Sequence, residues 1–450
     1  MAALHFREAL LPDGWARNVR VDIAAGAIIA ITPNAAPDTE SFAVGLPGLA
    51  NLHSHAFQRG MAALAEVRGP GEDSFWSWRE VMYRFLAVLT PDDVEAIAAL
   101  AYAEMLESGF VRVGEFHYLH HDPTGAPYAR VGEMADRIAA AAAQTGIALT
   151  LLPVFYAHAT FGGAPPAAGQ RRFVTGRDQF VRLMQQGAEA IAALEDATIG
   201  VAPHSLRAVA PDELAEIVAL ANGRPVHIHA AEQTREVEDC LAWSGARPVE
   251  WLLNNTDVGA NWCIVHATHM TEAETTRLAQ TGAIAGLCAV TEASLGDGIF
   301  PGSTWIEAGG RYGVGTDSNI QIGAAAELRQ LEYAQRLLAR KRNVLAGAPG
   351  ATTGRTLFQA ALEGGAAALG AGPTGLRAGA PADIVSLDAM HPSLCGRTGD
   401  GWLDGWIFAA DGAVDTVWRR GKSVVRDGRH VGREEIARRY CATVQRLMAQ

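Results

Sequence analysis

The stretch that decides the fold is LPGLANLHSHAFQRG, residues 46–60. Its apolar first half reads as a short buried strand, and then two imidazoles follow one residue apart, His53 and His55. Side chains alternate faces along a strand, so these two point the same way, roughly 6 to 7 Å apart along the chain. That is close enough for both rings to lean onto one metal ion. An isolated pair is better explained by polar residues near a strand end, solvated or bonded to backbone. The other ligands must therefore be found elsewhere.

Seven further apolar runs follow the first: VRVGEFHY (111–118), IALTLLPVFY (147–156), TIGVAPHS (198–205), RPVHIHA (224–230), WCIVHAT (262–268), GAIAGLC (282–288) and RYGVGTDS (311–318). Helical patterns separate them. In TPDDVEAIAALAYAEMLESG, Thr90 reads as the N-cap, Pro91 as the first helical residue and Gly109 as the stop. APDELAEIVALANG repeats that logic over 210–223. Eight strands alternating with helices predict an α/β protein of the (β/α)8, TIM-barrel type. The longest insertion follows the first strand and is aromatic-rich (FWSWRE, 75–80), so it is expected to shape the pocket mouth.

The two ends read as β structure. WARNVRVDIAAGAIIAITP is a hairpin with its turn at Ala25 and Gly26, and VDTVWRRGKSVVRDGRHV turns at Asp427 and Gly428. Neither end has enough apolar surface to fold alone, so they are expected to pair. This gives residues 1–45 and 371–450 as one small β-sandwich domain, with a terminal amphipathic helix, around a barrel over 46–370.

With 450 residues, 49% of them hydrophobic and 19% charged, the chain has ample core material. A net charge of −12 argues against nucleic acid or an anionic membrane as partner. The start MAALHFREALLPDG lacks the pattern of a signal peptide, and no stretch approaches the ~18 apolar residues of a membrane span. The five cysteines (240, 263, 288, 395 and 441) form no C-x-x-C. A cytoplasmic location with reduced thiols is expected.

Function in a parallel barrel sits at the C-terminal ends of the strands. The first strand brings His53 and His55; the second brings Glu115, His117 and Tyr118; the fourth brings His204, then Arg207. The fifth carries His227 and His229, followed by Glu232, while the sixth ends on His266 and the eighth on Asp317. Three imidazoles and a carboxylate make an N3O set suited to Zn2+ or Fe2+, with a position left for water. His227 is expected one layer deeper than His229, as support rather than ligand. His120, His121, His158 and His269 read as loop or helix-start residues.

PGLANLHSH, HIHAAE, VHATH and GTDSN resemble the amidohydrolase superfamily, specifically its mononuclear deaminase branch. GLRAGAPADIVSLD and VVRDG resemble that superfamily's closing β-sandwich segments, so the likeness spans nearly the whole chain. Other branches bridge two metals with a carboxylated lysine from the fourth strand. Here lysine occurs only at Lys341 and Lys422, outside every candidate barrel strand, so one ion is expected. EFHYLHHDPTGAPY, LPVFYAHATFGG, PHSLRAV, TEASLGDGIFP and LRQLEYAQRL are similar to the formimidoylglutamate deiminases of histidine degradation. In that family a proline and an asparagine are common where this chain has Ala289 and Ser294, and a histidine where it has Asn319.

The resemblance implies a small dicarboxylate substrate, N-formimidoyl-L-glutamate, hydrolysed to N-formyl-L-glutamate and ammonia. It implies His53, His55, His229 and Asp317 as ligands of one divalent ion, Zn2+ foremost and Fe2+ next. Either Asp317 or His266 takes the water proton, Glu232 shuttles a proton to the amidine nitrogen, and His266 stabilises the tetrahedral intermediate. Arg79 and Arg207 can offer forked donors to carboxylates, with Gln58, Tyr118 and His204 adding bonds. The rival reading is a deaminase of an aromatic amine, such as guanine or an adenosine derivative, which has no need of two arginines. A homodimer is expected.

Overall fold

The computed structural model describes every residue except 1, 38, 72 and 450. All eight expected strands form: Leu49–Ser54, Phe110–His117, Ala148–Phe155, Thr198–Ile199 with Ala202–Pro203, Val226–Ala230, Trp262–His266, Ile284–Leu287 and Arg311–Val314. They pair in parallel within two sheets, one holding the first four and the other the last four. Isolated parallel bridges link the sheets at both edges, Val201 to Val226 and Ser205 to His229 on one side, Ser54 to Asp317 on the other. Six of these strands are buried from end to end, which is the condition of parallel strands covered on both faces. The fourth strand is broken at Gly200, where a Cβ would lie 2.6 Å from the Pro225 carbonyl oxygen. The backbone there runs too close to its neighbour for any larger residue.

The intervening helices start as their sequences predict. Thr90 and Asp93 form a reciprocal capping box, Pro91 opens the helix Pro91–Glu107, and Gly109 follows with φ +99°. The insertion after the first strand forms the helix Phe75–Leu86, capped by Ser74. At the N-terminal end of the strands the helix Thr353–Ala368 lies directly on the backbone: a Cβ at Gly364 would come within 1.8 Å of the Tyr312 carbonyl oxygen. Beyond it Leu369 joins Leu52, Val265 and Ile284 in a buried apolar floor.

Both chain ends meet in a separate eight-stranded sheet. Its order is Arg429–His430, Lys422–Arg426, Val414–Arg419, Ile384–Leu387, Ser41–Pro47, Ala2–Leu11, Gly14–Ala24 and Ala27–Thr32. The turns at Ala25–Gly26 and Asp427–Gly428 each place two consecutive residues at positive φ, the requirement of a two-residue hairpin matched to strand twist. Arg420 and Gly421 make a third such turn, hidden in the sequence because an arginine occupies the first position. The sheet has its own apolar cluster, including Phe6, Val19, Val21, Ile28, Ile384 and Trp418. The strand Ser41–Pro47 runs two residues past the expected boundary at 45 and hands over to the first parallel strand at Gly48. The amphipathic helix Arg433–Met448 returns to the parallel-strand region, where Arg439 pairs with Glu95 at 2.6 Å and the Tyr440 hydroxyl donates to the Arg59 carbonyl at 3.3 Å.

Candidate metal centre and substrate cavity

His53 and His55 do share one face, as the strand period requires. His53 Nε2 lies 3.2 Å from His55 Nε2 and 3.1 Å from His229 Nε2. Asp317 Oδ1 completes the set, 3.5 Å from His53 Nε2 and 3.2 Å from His55 Nε2. One donor atom from each of the four falls within 4.8 Å of every other. Backbone carbonyls orient two of the rings: His55 Nδ1 donates to Phe116 O at 2.9 Å and His229 Nδ1 to His204 O at 3.0 Å. That keeps their ring proton on Nδ1 and leaves Nε2 a lone pair aimed at the common centre. Lone pairs converging beside a carboxylate repel one another unless a cation lies among them, so the donor set fits a divalent ion of the zinc class. Burial pulls His53 down to about 3 and His229 well below the ordinary imidazole value, which keeps both neutral and able to ligate. Burial alone would raise Asp317, but its contacts with His53 and His55 hold it well below the usual carboxylate range.

The backbone builds this cluster by a short ladder between the first and last parallel strands. Asp317 N donates to His53 O at 3.0 Å and His55 N to Asp317 O at 2.9 Å. Asp317 and Asn319 sit at φ +46° and +54°, and His266 at +67°. Non-glycine residues adopt this region at a cost, and here it turns side chains off the strand ends into the site. The Asn319 carboxamide donates to His55 O at 3.1 Å, Asp317 O at 3.0 Å and Ser54 Oγ at 3.2 Å, and its Oδ1 accepts from Thr316 Oγ1 at 2.6 Å. Asn319 is therefore the clasp between the strand that carries His55 and the one that carries Asp317. Gly315 leaves room for His53: a Cβ there would lie 2.8 Å from both the N and the O of that residue.

Around the ligands stand the expected proton carriers. His266 Nε2 lies 3.7 Å from Glu232 Oε1 and 3.8 Å from Asp317 Oδ2, while its Nδ1 meets Glu292 Oε1 at 3.2 Å. Burial would lower His266, but Glu232, Glu292 and Asp317 together raise it to about 10. A divalent cation among the four ligands would push it back down. Burial raises Glu232, opposed by His266 and Arg207. Cys288 joins His266 and Asp317 as a second possible donor group, but burial holds its thiol well above the ordinary value and so protonated.

The site opens into a cavity lined by Gln58, Arg79, Tyr118, His204, Arg207 and Glu232 among others. Every residue expected to contact substrate is therefore in one place. Arg207 Nη2 lies 3.6 Å from Glu232 Oε2, and its guanidinium sits 5.9 Å from the ring centres of both Phe75 and Trp76. Arg79 lies over Trp76 at 4.5 Å. Gln58 donates to the Tyr118 hydroxyl at 2.7 Å. Three buried polar atoms of these residues find no protein partner: Arg79 Nε, Arg207 Nε and Gln58 Oε1. His204 is neutral, held far below its ordinary value by burial and by Arg207.

Three expectations need correcting or extending. His227 does lie deeper, but its Nε2 bonds the Ala368 carbonyl at 2.8 Å and serves the floor, not the ligands. Glu115 faces away from the cavity, accepting from Ala56 N at 2.8 Å and from the Tyr102 hydroxyl at 3.1 Å. His117 packs against the His120 ring, with both ring nitrogens unpartnered. The sequence reading passed over Tyr83, Tyr156 and Phe173, which also line the cavity. Tyr156 had a usable signal, because it ends the third strand as Tyr118 ends the second. Glu292 had none, since only the folded chain brings it beneath His266.

Comparison with known proteins bears on the same residues. Residues 44–424 match the model described as "Amidohydrolase family", and residues 1–41 match "Formimidoylglutamate deiminase HutF, N-terminal domain". The formimidoylglutamate deiminase of Pseudomonas aeruginosa is 50% identical to this chain, with 100% of each chain covered. A 5-methylthioadenosine/S-adenosylhomocysteine deaminase of Natronomonas pharaonis is 30% identical over 85% of this chain and 84% of its own. The crystal structure of an amidohydrolase from Brucella melitensis superposes with a TM-score of 0.97 at 56% identity, covering 100% of both chains. An adenosine deaminase from Xanthomonas campestris, solved with bound zinc, shares the fold at a TM-score of 0.83 and 23% identity, covering 100% of this chain and 98% of its own.

Proposed function

The chain belongs to the amidohydrolase family, and from that membership and the character of its cavity we propose that it hydrolyses N-formimidoyl-L-glutamate to N-formyl-L-glutamate and ammonia in histidine degradation. The full-length likeness to a formimidoylglutamate deiminase supports the reaction. The observation that carries the substrate is the pair of buried guanidinium nitrogens without a protein partner on two cavity-lining residues, Arg79 Nε and Arg207 Nε. Unsatisfied buried donors are costly, and two guanidiniums in one small cavity call for carboxylates. The aromatic lining would also suit a purine, but a neutral base would offer neither guanidinium a carboxylate.

In this reading His53, His55, His229 and Asp317 hold a single divalent ion, Zn2+ by the preference of an N3O set. The ion, when bound, supplies Lewis-acid activation of water near neutral pH. Asp317 Oδ2 takes the water proton, with His266 Nε2 3.8 Å away. Glu232, raised by burial, carries a proton at its carboxyl and delivers it to the departing nitrogen. His266 donates from Nε2 to the oxygen that becomes bonded to the formimidoyl carbon. Arg207, Arg79, Tyr118, Gln58 and His204 hold the glutamate moiety, and the helix Phe75–Leu86 covers it from water.

The bridges that join the two parallel sheets support a single closed (β/α)8 barrel over 46–370. The separate apolar cluster of the end-built sheet supports a sandwich-like small domain from 1–45 and 371–450. We place the protein in the cytoplasm as a homodimer; Leu337 and Leu338, exposed on the helix Ala324–Ala339, are side chains such a contact would cover. The deciding experiment is turnover of N-formimidoyl-L-glutamate by the zinc-loaded protein, with product analysis. Ammonia with N-formylglutamate supports the reading; formamide with glutamate, or turnover of purines alone, overturns it.

A further inference from the structure

The cavity contains a hydroxyl whose orientation the structure fixes and whose proton is given to no protein acceptor. Tyr156 stands just past the strand Ala148–Phe155, buried, with its ring 4.7 Å from that of His204. Its oxygen accepts a hydrogen bond from Gln170 Nε2 at 2.7 Å. The carboxamide of Gln170 cannot be turned the other way, because its Oε1 accepts from the backbone N–H of Ala167 at 2.7 Å and an N–H cannot meet an amino group. Gln170 itself is buried at a short helical turn, Ala168–Gln170, so its position is set by the loop. The chain of constraint runs from the Ala167 backbone through the Gln170 carboxamide to the phenol oxygen. A phenol that accepts in this way has its own O–H left to give. Tyr118 differs: it accepts from Gln58 at 2.7 Å but has the Met82 sulfur at 3.3 Å as an outlet for its proton. Among the described residues the Tyr156 hydroxyl donates no hydrogen bond, and the side chain lines the cavity beside Tyr83, Arg79 and Arg207.

We propose that Tyr156 donates its hydroxyl proton to a carboxylate of the substrate and so helps select a dicarboxylate, with Gln170 as the positioning residue that keeps this hydroxyl a donor. The inference rests on the formimidoylglutamate reading above. A neutral donor adds a directional bond between two guanidiniums without adding a third like charge to the cavity.

The test compares wild type, Tyr156→Phe, Gln170→Leu and the double variant, each zinc-loaded and checked for unchanged melting temperature. Tyr156→Phe keeps the ring and removes only the hydroxyl. It should raise KM for N-formimidoyl-L-glutamate by about 10- to 100-fold, the range for a lost hydrogen bond to a charged group, with kcat within about threefold. Gln170→Leu should move KM the same way by less, and the double variant should be no worse than Tyr156→Phe, because the two act through one bond. Two analogues locate the effect: N-formimidoyl-4-aminobutyrate, which lacks the α-carboxylate, and N-formimidoyl-L-glutamine, whose side-chain carboxylate is an amide. The Tyr156→Phe penalty should fall below about twofold for one of them. A penalty that persists with both analogues overturns the inference, as does an unchanged KM with the parent substrate or a loss confined to kcat. Absence of ammonia release by wild type overturns the functional reading and this inference with it, and is distinguished because no variant enters that result.

Discussion

Replacing Arg207 with alanine probes the substrate assignment most directly. Arg207 is only 8% exposed, so its desolvation is a cost of folding and is not charged again on binding. A carboxylate about 4 Å away gains about 4 kcal/mol of Coulomb energy at an effective dielectric of 20. Part of that is offset because Glu232 already stands 3.6 Å from Arg207 Nη2. The net value should match a charge-assisted hydrogen bond, about 2–3 kcal/mol, which is about 30- to 150-fold in kcat/KM, expressed mainly in KM. The variant should retain its zinc, since Arg207 makes no bond to any of the four ligands. A second effect accompanies the first. Arg207 opposes the burial that raises Glu232, so its removal lets the Glu232 carboxyl rise further. The pH limb of kcat/KM that reports this group should then move to higher pH. Continuous measurement of ammonia release over a pH series, with metal content by mass spectrometry, reads both. Arg207→Lys should recover part of the loss, because a point charge replaces the fork. A KM within about threefold of wild type in Arg207→Ala, with zinc intact, would refute the carboxylate assignment while sparing the metal chemistry.

Three further outcomes follow from the geometry. His229→Ala removes one of three imidazoles, and zinc content and turnover should fall together to about a tenth or less of wild type; retention of full zinc would contradict the ligand set. Gly315→Ala places a methyl 2.8 Å from the His53 backbone, and competition with a chelator should show zinc held about 10- to 100-fold more weakly, the range for a disturbed supporting shell, with melting lowered as well. His227 is pulled down to about 4 by burial, below the ordinary 6.5 of the unfolded chain. Between those values the unfolded state takes a proton that the folded state refuses, so this contribution is complete above pH 6.5 and lost as pH falls towards 4. The stability advantage of wild type over His227→Asn in urea should therefore shrink by about 1.4 kcal/mol between pH 7.5 and 5.5; an advantage independent of pH would mean that His227 is not held neutral.

What could be read in the sequence was whatever repeats with a period or ends a strand. Eight apolar runs located the strands, and the residues closing them located the metal set, because the two-residue period of a strand fixes which way His53 and His55 face. The turns at Ala25–Gly26 and Asp427–Gly428 were legible from their glycines, whereas Arg420–Gly421 was hidden by an arginine that adopts the same backbone. The rest depended on contacts between distant segments. Nothing local marks Glu292 as the partner of His266, or Asn319 as the residue joining His55 to Asp317. His227 and His229 look alike in sequence, two residues apart on one strand. Only the position of the helix Thr353–Ala368 assigns His227 to the floor.

The short ladder between His53, His55 and Asp317 ties an early part of the polypeptide to a late one. During synthesis the first two histidines emerge long before their carboxylate partner, so a half-made chain can offer an incoming ion only a loose and incomplete grip. Tight capture would be deferred until the final parallel strand has docked, and from then on a bound ion would act as a rivet across that seam. Unloading it should loosen the seam before any other part of the structure, and the enzyme's metal would then register that the chain was finished.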